Sequence, residues 1–369
     1  MYTCNSLTVA AILSSLLLAG PAAAQDAFSI DLPPEAPITL VSADWSSTRT
    51  DPRGGALVVD LHTALRLRNS TQATIRGITL LVLAQEVTPG GKASVSVPSL
   101  NASAGEVFPV RIDLRLLRPS QAGSGPLVRV QLDGVLFDDL SFYGPNKLNS
   151  RRTMTIWELE ARRDRQYFKS VLAARGPDGL REEVLASLAR EAERPTLDVQ
   201  IARRGRSTTW EGAQTVQIAF LHLPDAPVEA LSGTARMSGQ DAGGATLEVK
   251  NLSGRPVRYL ELGWIFRDRQ DREYLAGSVP AEVSLAPGAT SRIATETSLR
   301  LSQPLAVEAM KGYVSQVEFE DGKVWIPSRE DLRNRELERL LAPSPEEQRL
   351  TNIYRKKGLQ GLVEELKRF

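Results

Sequence analysis

The stretch Val317–Ser328, VEFEDGKVWIPS, has a counterpart 182 residues earlier in Val135–Asn146, VLFDDLSFYGPN. Phe319 falls on Phe137, Trp325 on Tyr143 and Pro327 on Pro145. The same offset brings Asn251 onto Asn69, Ser278-Val279-Pro280 onto Ser96-Val97-Pro98, and Gly358 and Gly361 onto Gly176 and Gly179. One register held over so much chain marks an internal duplication. Nearer the start the offset is 190, where Asp225-Ala226-Pro227 matches Glu35-Ala36-Pro37, so copy one carries about eight extra residues, expected near Asp51–Gly55.

Each copy opens with a period of two. Leu61, Thr63, Leu65 and Leu67 alternate with His62, Ala64, Arg66 and Arg68, and Val110, Ile112, Leu114 and Leu116 alternate with Arg111, Asp113 and Arg115. In copy two, Leu260, Leu262, Trp264 and Phe266 face one way and Tyr259, Glu261, Gly263 and Ile265 the other. Such alternation predicts half-buried strands. Turn signals at Pro89-Gly90-Gly91, Ala104-Gly105 and Pro287-Gly288 separate about seven strands per copy, the pattern of an immunoglobulin-like sandwich with Trp264 in its core. Asp321-Gly322 predicts a two-residue hairpin turn, which would set Phe319 against Val324 and Glu318 against Trp325. Copy one has Asp138-Asp139 there and no glycine.

After each sandwich the period changes to that of a helix. Thr153–Arg175 carries Trp157, Phe168, Val171 and Leu172, breaks at Gly176-Pro177-Asp178-Gly179, and resumes as LREEVLASLAREAE. In copy two Ser344-Pro345-Glu346-Glu347 has the form of an N-cap with proline at the first helical position. The expected fold class is therefore mostly β with α appendages: two tandem immunoglobulin-like β-sandwiches, each followed by a helical segment. The expected boundaries are a leader over 1–24, copy one over 33–146 with its helices over 147–195, a connecting segment of strands or linker over 196–223, and copy two over 224–328 with its helices over 329–369.

The run VKNLSGRPVRYLELGWIFRDRQDREYLAGSV, with LAPGATSRI after it, resembles the bacterial envelope domains called FxLYD. The matching places are Asn251-Leu252-Ser253, Trp264-Ile265-Phe266-Arg267-Asp268 and Leu285-Ala286-Pro287-Gly288; copy one departs with Val82-Leu83-Ala84-Gln85-Glu86 at the strand end. The resemblance covers the middle of each copy. It implies an immunoglobulin-like fold and an envelope location, and no catalytic residues.

The apolar run Leu7–Leu18, followed by Ala22-Ala23-Ala24, predicts a secretory leader cleaved after Ala24, although its first six residues hold no Lys or Arg. Cys4 would leave with it, so disulfides and thiol chemistry are not expected in a periplasmic or secreted mature chain. No later stretch predicts a transmembrane segment. With 45 Lys+Arg against 44 Asp+Glu, the net charge of +1 gives no field that would gather nucleic acid.

For chemistry the sequence offers little. His62 and His222 are the two histidines, and spacing gives neither an Asp or Ser partner. No cofactor or metal is expected. Glu318 and Glu320, two apart on one strand, are within reach of a glycosidase pair, but Lys323 opposite Glu320 makes a solvated outer face the plainer reading. Tyr143 and Trp325 put an aromatic at one place in both copies, either as a platform for a sugar or as an anchor under the following helix; the anchor is favoured. The G-x-x-G segments read as helix turns, and the clusters Arg162-Arg163-Arg165, Arg203-Arg204-Arg206 and Arg355-Lys356-Lys357 as solvated faces. Leu81 and Leu83 face the side of copy one that should meet water and mark a candidate interface. The function expected is a non-enzymatic binding or scaffolding protein of the bacterial envelope with another envelope protein as partner. A glycan-binding protein using Tyr143 and Trp325 is the alternative, and an acid-based hydrolase a third.

Overall fold

The computed structural model describes residues 27–85, 89–120, 125–202, 212–295, 297–303 and 305–369. The expected leader, Cys4 and the Arg203-Arg204-Arg206 cluster lie outside them. The chain is mostly β with helical parts, and its contacts divide it into two units. Unit 1 runs through Val97 and from Ala102 to Leu148; unit 2 takes Pro98–Asn101 and Asn149–Phe369.

Unit 1 contains β1 (Phe28–Asp31), β2 (Ile38–Asp44), β3 (Arg49–Arg53), β4 (Ala56–Asn69), β5 (Ile75–Leu83), β6 (Lys92–Val97), β7 (Val107–Pro119), β8 (Val128–Phe137) and β9 (Phe142–Tyr143). One sheet has the order β1-β8-β5-β6 with β9 on β8; the other joins β2 and β3 to one side of β4 and β7 to the other. Along β4 the alternation read from the sequence holds: Leu61, Thr63, Leu65 and Leu67 are buried, and His62, Ala64, Arg66 and Arg68 are exposed. The extra residues of copy one break its first long strand into β2 and β3, with β3 turning back through Gly54-Gly55.

Unit 2 contains α1 (Ser150–Glu193), β10 (Val199–Ala202), β11 (Gln214–Phe220), β12 (Val228–Ser238), β13 (Asp241–Asn251), β14 (Val257–Asp268), β15 (Glu273–Leu285), β16 (Thr290–Ala294), β17 (Ser298–Leu301), β18 (Val307–Phe319), β19 (Val324–Trp325), α2 (Arg329–Leu332), α3 (Arg335–Leu340) and α4 (Pro345–Lys367). Among the described residues its strands repeat the pairings of unit 1 and add two, β10 with β17 and β11 with β12, which join them into one sheet of order β10-β17-β13-β12-β11-β18-β14-β15, with β16 on β13 and β19 on β18. Phe28 lies parallel to Val128, and Ile218 parallel to Met310. Residues Ile75/Gly77 and Thr79/Leu80 flank bulges in β5, and the bulges of β14 fall at Val257/Tyr259 and Glu261/Leu262, each 182 residues on. The buried Asn69 amide donates to the carbonyls of Ala73 and Ala102 while its oxygen accepts from the Thr71 N–H. Asn251 does the same with Arg255, Leu285 and Ser253. Repetition of bulges and side-chain turns, which depend on single residues, is what the duplication requires. One core of unit 2 holds Leu260, Leu262, Trp264 and Phe266 of β14 against Ala235, Leu247 and Val249 of the facing strands, so Trp264 does fill the interior.

Three expectations are corrected. First, 196–223 is not only a connection: β11 opens copy two, pairing with β12 through Gln214–Gln217 and with β18 through Ile218–Phe220, so the copy begins before 224. Its Val216 and Ile218 point inward, a short signal drowned by the polar residues before it. Second, the helix after copy one groups with unit 2, not with copy one's sandwich. Third, the hairpin has a three-residue turn. Phe319 N–H donates to Lys323, Gly322 N–H donates to Phe319, and Gly322 alone takes positive φ, at 80°. Val317 therefore faces Trp325, and Glu318 faces Val324. A two-residue turn would force Asp321 into positive φ as well; here its carboxylate instead accepts from the Lys323 N–H. Copy one makes the same turn with Leu140 at φ 66°.

α1 and α4 each bend sharply at a glycine with the same backbone, Gly176 at φ 69°, ψ −170° and Gly358 at φ 69°, ψ −172°. That region is open essentially to glycine alone. The bends let Phe168, Leu180 and Val184 of α1 pack with Leu350, Leu362 and Leu366 of α4, three pairs that are each 182 residues apart. Equivalent residues meeting equivalent residues is an isologous interface, formed here inside one chain. No helix among the described residues is long and apolar enough to cross a membrane.

Candidate functional site

The residues singled out by sequence do not form one site. Tyr143, on β9 opposite Val135, is half-buried; burial, then the nearby Glu35 carboxyl, pushes its phenol above the ordinary range. Trp325 is half-buried and packs against both the sandwich core of unit 2 and a second cluster made by Leu223, Ile265, Tyr313, Leu337 and Leu340. It therefore has the surroundings of the helix anchor. Leu81 is not a water-facing residue: it is buried, and Leu83 half-buried. Leu81 borders an open depression of about 380 Å³ with Leu32, Pro33, Gln131 and Lys147. At the matching places in unit 2, the Tyr313 ring lies on Gly263, where a Cβ would come within 2.2 Å of it, and Ile265 is covered by the α3 leucines. The outer face of β14, expected to meet water, is thus an interior surface, because a helix supplies the second layer.

The acidic pair is likewise rearranged. Glu318 is buried and accepts from both Arg152 and Arg258, while Glu320 is exposed beyond the strand end. His62 does have a partner that spacing along the chain could not reveal: the ladder sets it opposite Asp113, with Nδ1 2.9 Å from a carboxylate oxygen. His222 lies 3.7 Å from Glu229. Both histidines are exposed. No group of three or more metal-ligating side chains occurs among the described residues.

The densest polar chemistry lies where α1, α2 and the start of α4 meet within unit 2. Ser344 caps α4 by accepting from the Glu347 N–H, with Pro345 at the first position, as the sequence predicts. The two acids that follow were legible as first-turn residues, but not as buried ones. Glu347 accepts from Arg329 at 2.7 Å and from the Ser187 hydroxyl; Glu346 accepts from Arg349 at 2.8 Å, Ser99 at 2.7 Å and Arg165 at 3.3 Å. Burial opposes ionisation of both, yet the arginines beside them outweigh it and hold both carboxyls below the ordinary range. Asp164, fully buried, accepts from Arg163 and the Ser344 hydroxyl, with Arg329 at 3.5 Å. Arg165 is buried and donates to Glu158 at 3.0 Å. The cluster Arg162-Arg163-Arg165 is therefore not a solvated face; it supplies the counter-ions of an interior network. Arg355, Lys356 and Lys357 are exposed.

A cavity of about 160 Å³ opens beside this network, bordered by Arg163, Arg190, Arg329 and Arg333 with Tyr313 and Glu160. Loss of water raises the Glu160 carboxyl, with Arg163 opposing and Asp164 reinforcing the shift. Burial likewise raises the Tyr313 phenol. The Tyr167 ring has two guanidinium groups over it, Arg329 at 4.5 Å and Arg333 at 4.9 Å from its centroid, within the range of cation–π attraction. What the arrangement offers is a rigid, donor-rich recess. Sequence missed it because its arginines come from α1 and from α2 with its C-cap, elements far apart in the chain whose meeting depends on the tertiary fold.

No family model matches the chain, and no curated protein matches it. Among solved structures, a beta-glucosidase from Kluyveromyces marxianus aligns at 10% identity and a TM-score of 0.16, covering 75% of this chain and 46% of that one. An allantoicase from Saccharomyces cerevisiae aligns at 7% identity and a TM-score of 0.09, covering 74% and 88%. A hydroxyethylphosphonate dioxygenase variant aligns at 11% and 0.09, covering 70% and 76%. The chain spans about half the length of the beta-glucosidase structures it matches. Scores this low carry no argument about fold or activity.

Proposed function

We propose that this is an exported, non-enzymatic binding or scaffolding protein of the bacterial cell envelope, working through contacts with another envelope protein. In this reading both repeats are immunoglobulin-like sandwiches of the FxLYD kind, supported by the shared strand pairings, bulges and asparagine turns. One observation carries the binding role. Among the described residues of unit 2, the buried carboxylates Glu158, Asp164, Asp268, Glu318, Glu346 and Glu347 are each held by arginine and Asp331 by the Ser328 cap, so their charge fixes a shape. Ion pairs of this kind add little net stability over apolar packing but specify one arrangement, as a recognition surface needs. The periplasmic or secreted location in this reading rests on the leader expected over residues 1–24.

The glycan reading loses support at Trp325, whose ring is engaged by two apolar clusters. A hydrolase using Glu318 loses support from the two guanidinium groups on that carboxylate. The test is cross-linking of the mature chain, displayed in the periplasm, followed by reconstitution of the captured complex from purified components. A single envelope protein that reforms a stoichiometric complex is the expected result. Selective retention on glycan surfaces, abolished by Tyr143→Ala in a folded chain, would replace the proposal with its alternative.

A further inference from the structure

Resting on the binding role just proposed, we infer that the arginine-bordered cavity of unit 2 is a docking site for the carboxylates of an acidic peptide segment. The four guanidinium groups divide into two kinds. Arg329 and Arg163 are committed: Arg329 grips Glu347 through both terminal nitrogens, at 2.7 and 3.4 Å, and Arg163 donates to Asp164 at 3.1 Å and the Pro327 carbonyl at 3.0 Å. Arg190 and Arg333 are held more loosely. Arg190 has Glu347, Glu183 and Glu338 at 3.5 to 3.9 Å, with no direct hydrogen bond to any of them among the described residues. Arg333 donates once, to the Tyr167 hydroxyl at 2.8 Å, and makes no ion pair among the described residues.

A guanidinium carries five N–H donors, so both groups keep donors for an incoming oxyanion. Tyr167 already holds Arg333 through its ring and its hydroxyl, which lowers the ordering cost of binding. The volume, about 160 Å³, suits one carboxylate or phosphate with its nearest waters and falls below the ~300 Å³ and larger of pockets that enclose whole small molecules. Carboxylate is favoured over phosphate because an exposed one, Glu338, already stands on the rim 3.9 Å from Arg190. Glu338 is thus a built-in competitor, and a ligand carboxylate takes the place it holds.

The experiment is calorimetric titration of the mature full-length chain at low salt with a blocked tetraglutamate peptide, and separately with inorganic phosphate. The wild type should bind the peptide, and R190Q/R333Q should bind it roughly tenfold more weakly or worse while still showing a cooperative unfolding transition. E338Q should bind it more tightly than wild type. Should the double variant unfold, R333Q alone serves, since Arg333 is exposed and its side chain donates only to Tyr167 among the described residues. No peptide binding by the wild type, equal binding by the arginine variants, or binding of phosphate without peptide would each overturn the inference. A wild-type chain that captures an envelope partner but ignores the peptide sinks this site and leaves the proposed function standing; failure of both sinks both.

Discussion

Shortening Leu180 or Leu362 to alanine probes the pairing of the two helical tails. Both side chains are fully buried in one small cluster and stand at equivalent places in the repeat, Leu180 after the Gly176 bend and Leu362 after the Gly358 bend. A buried leucine replaced by alanine costs about 3 to 5 kcal/mol where the surroundings cannot collapse, from lost transfer energy and the cavity left behind. Because the six residues of the cluster are drawn evenly from α1 and α4, the two single substitutions should cost nearly the same, roughly 3 kcal/mol each. Because they empty one shared space, the double substitution should cost less than the sum by about 1 kcal/mol. The assay is scanning calorimetry with parallel urea denaturation, following the transition that involves unit 2. Costs below about 1 kcal/mol, or strict additivity, would mean that α1 and α4 do not share a core.

Leu140→Gly should stabilise the chain by roughly 0.5 to 1 kcal/mol, since a leucine at φ 66° is strained by about 1 to 2 kcal/mol and glycine returns part of that as unfolded-state entropy; urea denaturation measures it, and a loss of stability would speak against this turn. Asn69→Ala and Asn251→Ala should each cost about 2 to 4 kcal/mol, because each leaves backbone carbonyls and an N–H unpaired in the interior, and matching costs are expected for the two repeats. The pH dependence has two opposed parts. Glu346 and Glu347, with lowered folded values, contribute stability that is present above the unfolded value near 4.5 and disappears as pH falls through the folded values. Glu160, with a raised folded value, contributes stability present below the unfolded value and lost as pH rises through the folded one, so Glu160→Gln should raise the melting temperature at pH 7 and not at pH 4.

What was legible in the sequence was whatever depended on near neighbours or on the repeat. The alternation along β4, the Ser344 cap and the glycine bends each follow from a few adjacent residues, and the mostly β character with helical parts follows from the change of period. The hairpin register failed by one residue because Asp-Gly serves two turn lengths, and the choice rests on whether Asp321 keeps negative φ. The destination of the first tail was not legible at all: Phe168, Leu180 and Val184 fit any apolar partner, and only the tertiary fold gives them α4. The same holds for Glu346, Asp164 and Arg165, whose burial depends on three helices meeting; in sequence they are ordinary surface charges.

The descent of both halves from one unit is tested most directly by backbone amide contacts in nuclear Overhauser spectra of the deuterated chain. Parallel cross-strand contacts are predicted at both Phe28 with Val128 and Ile218 with Met310, together with antiparallel contacts joining Leu81 to Gln131 and Gly263 to Tyr313. Finding one of these sets while the equivalent positions of the other repeat pair with different strands would contradict it.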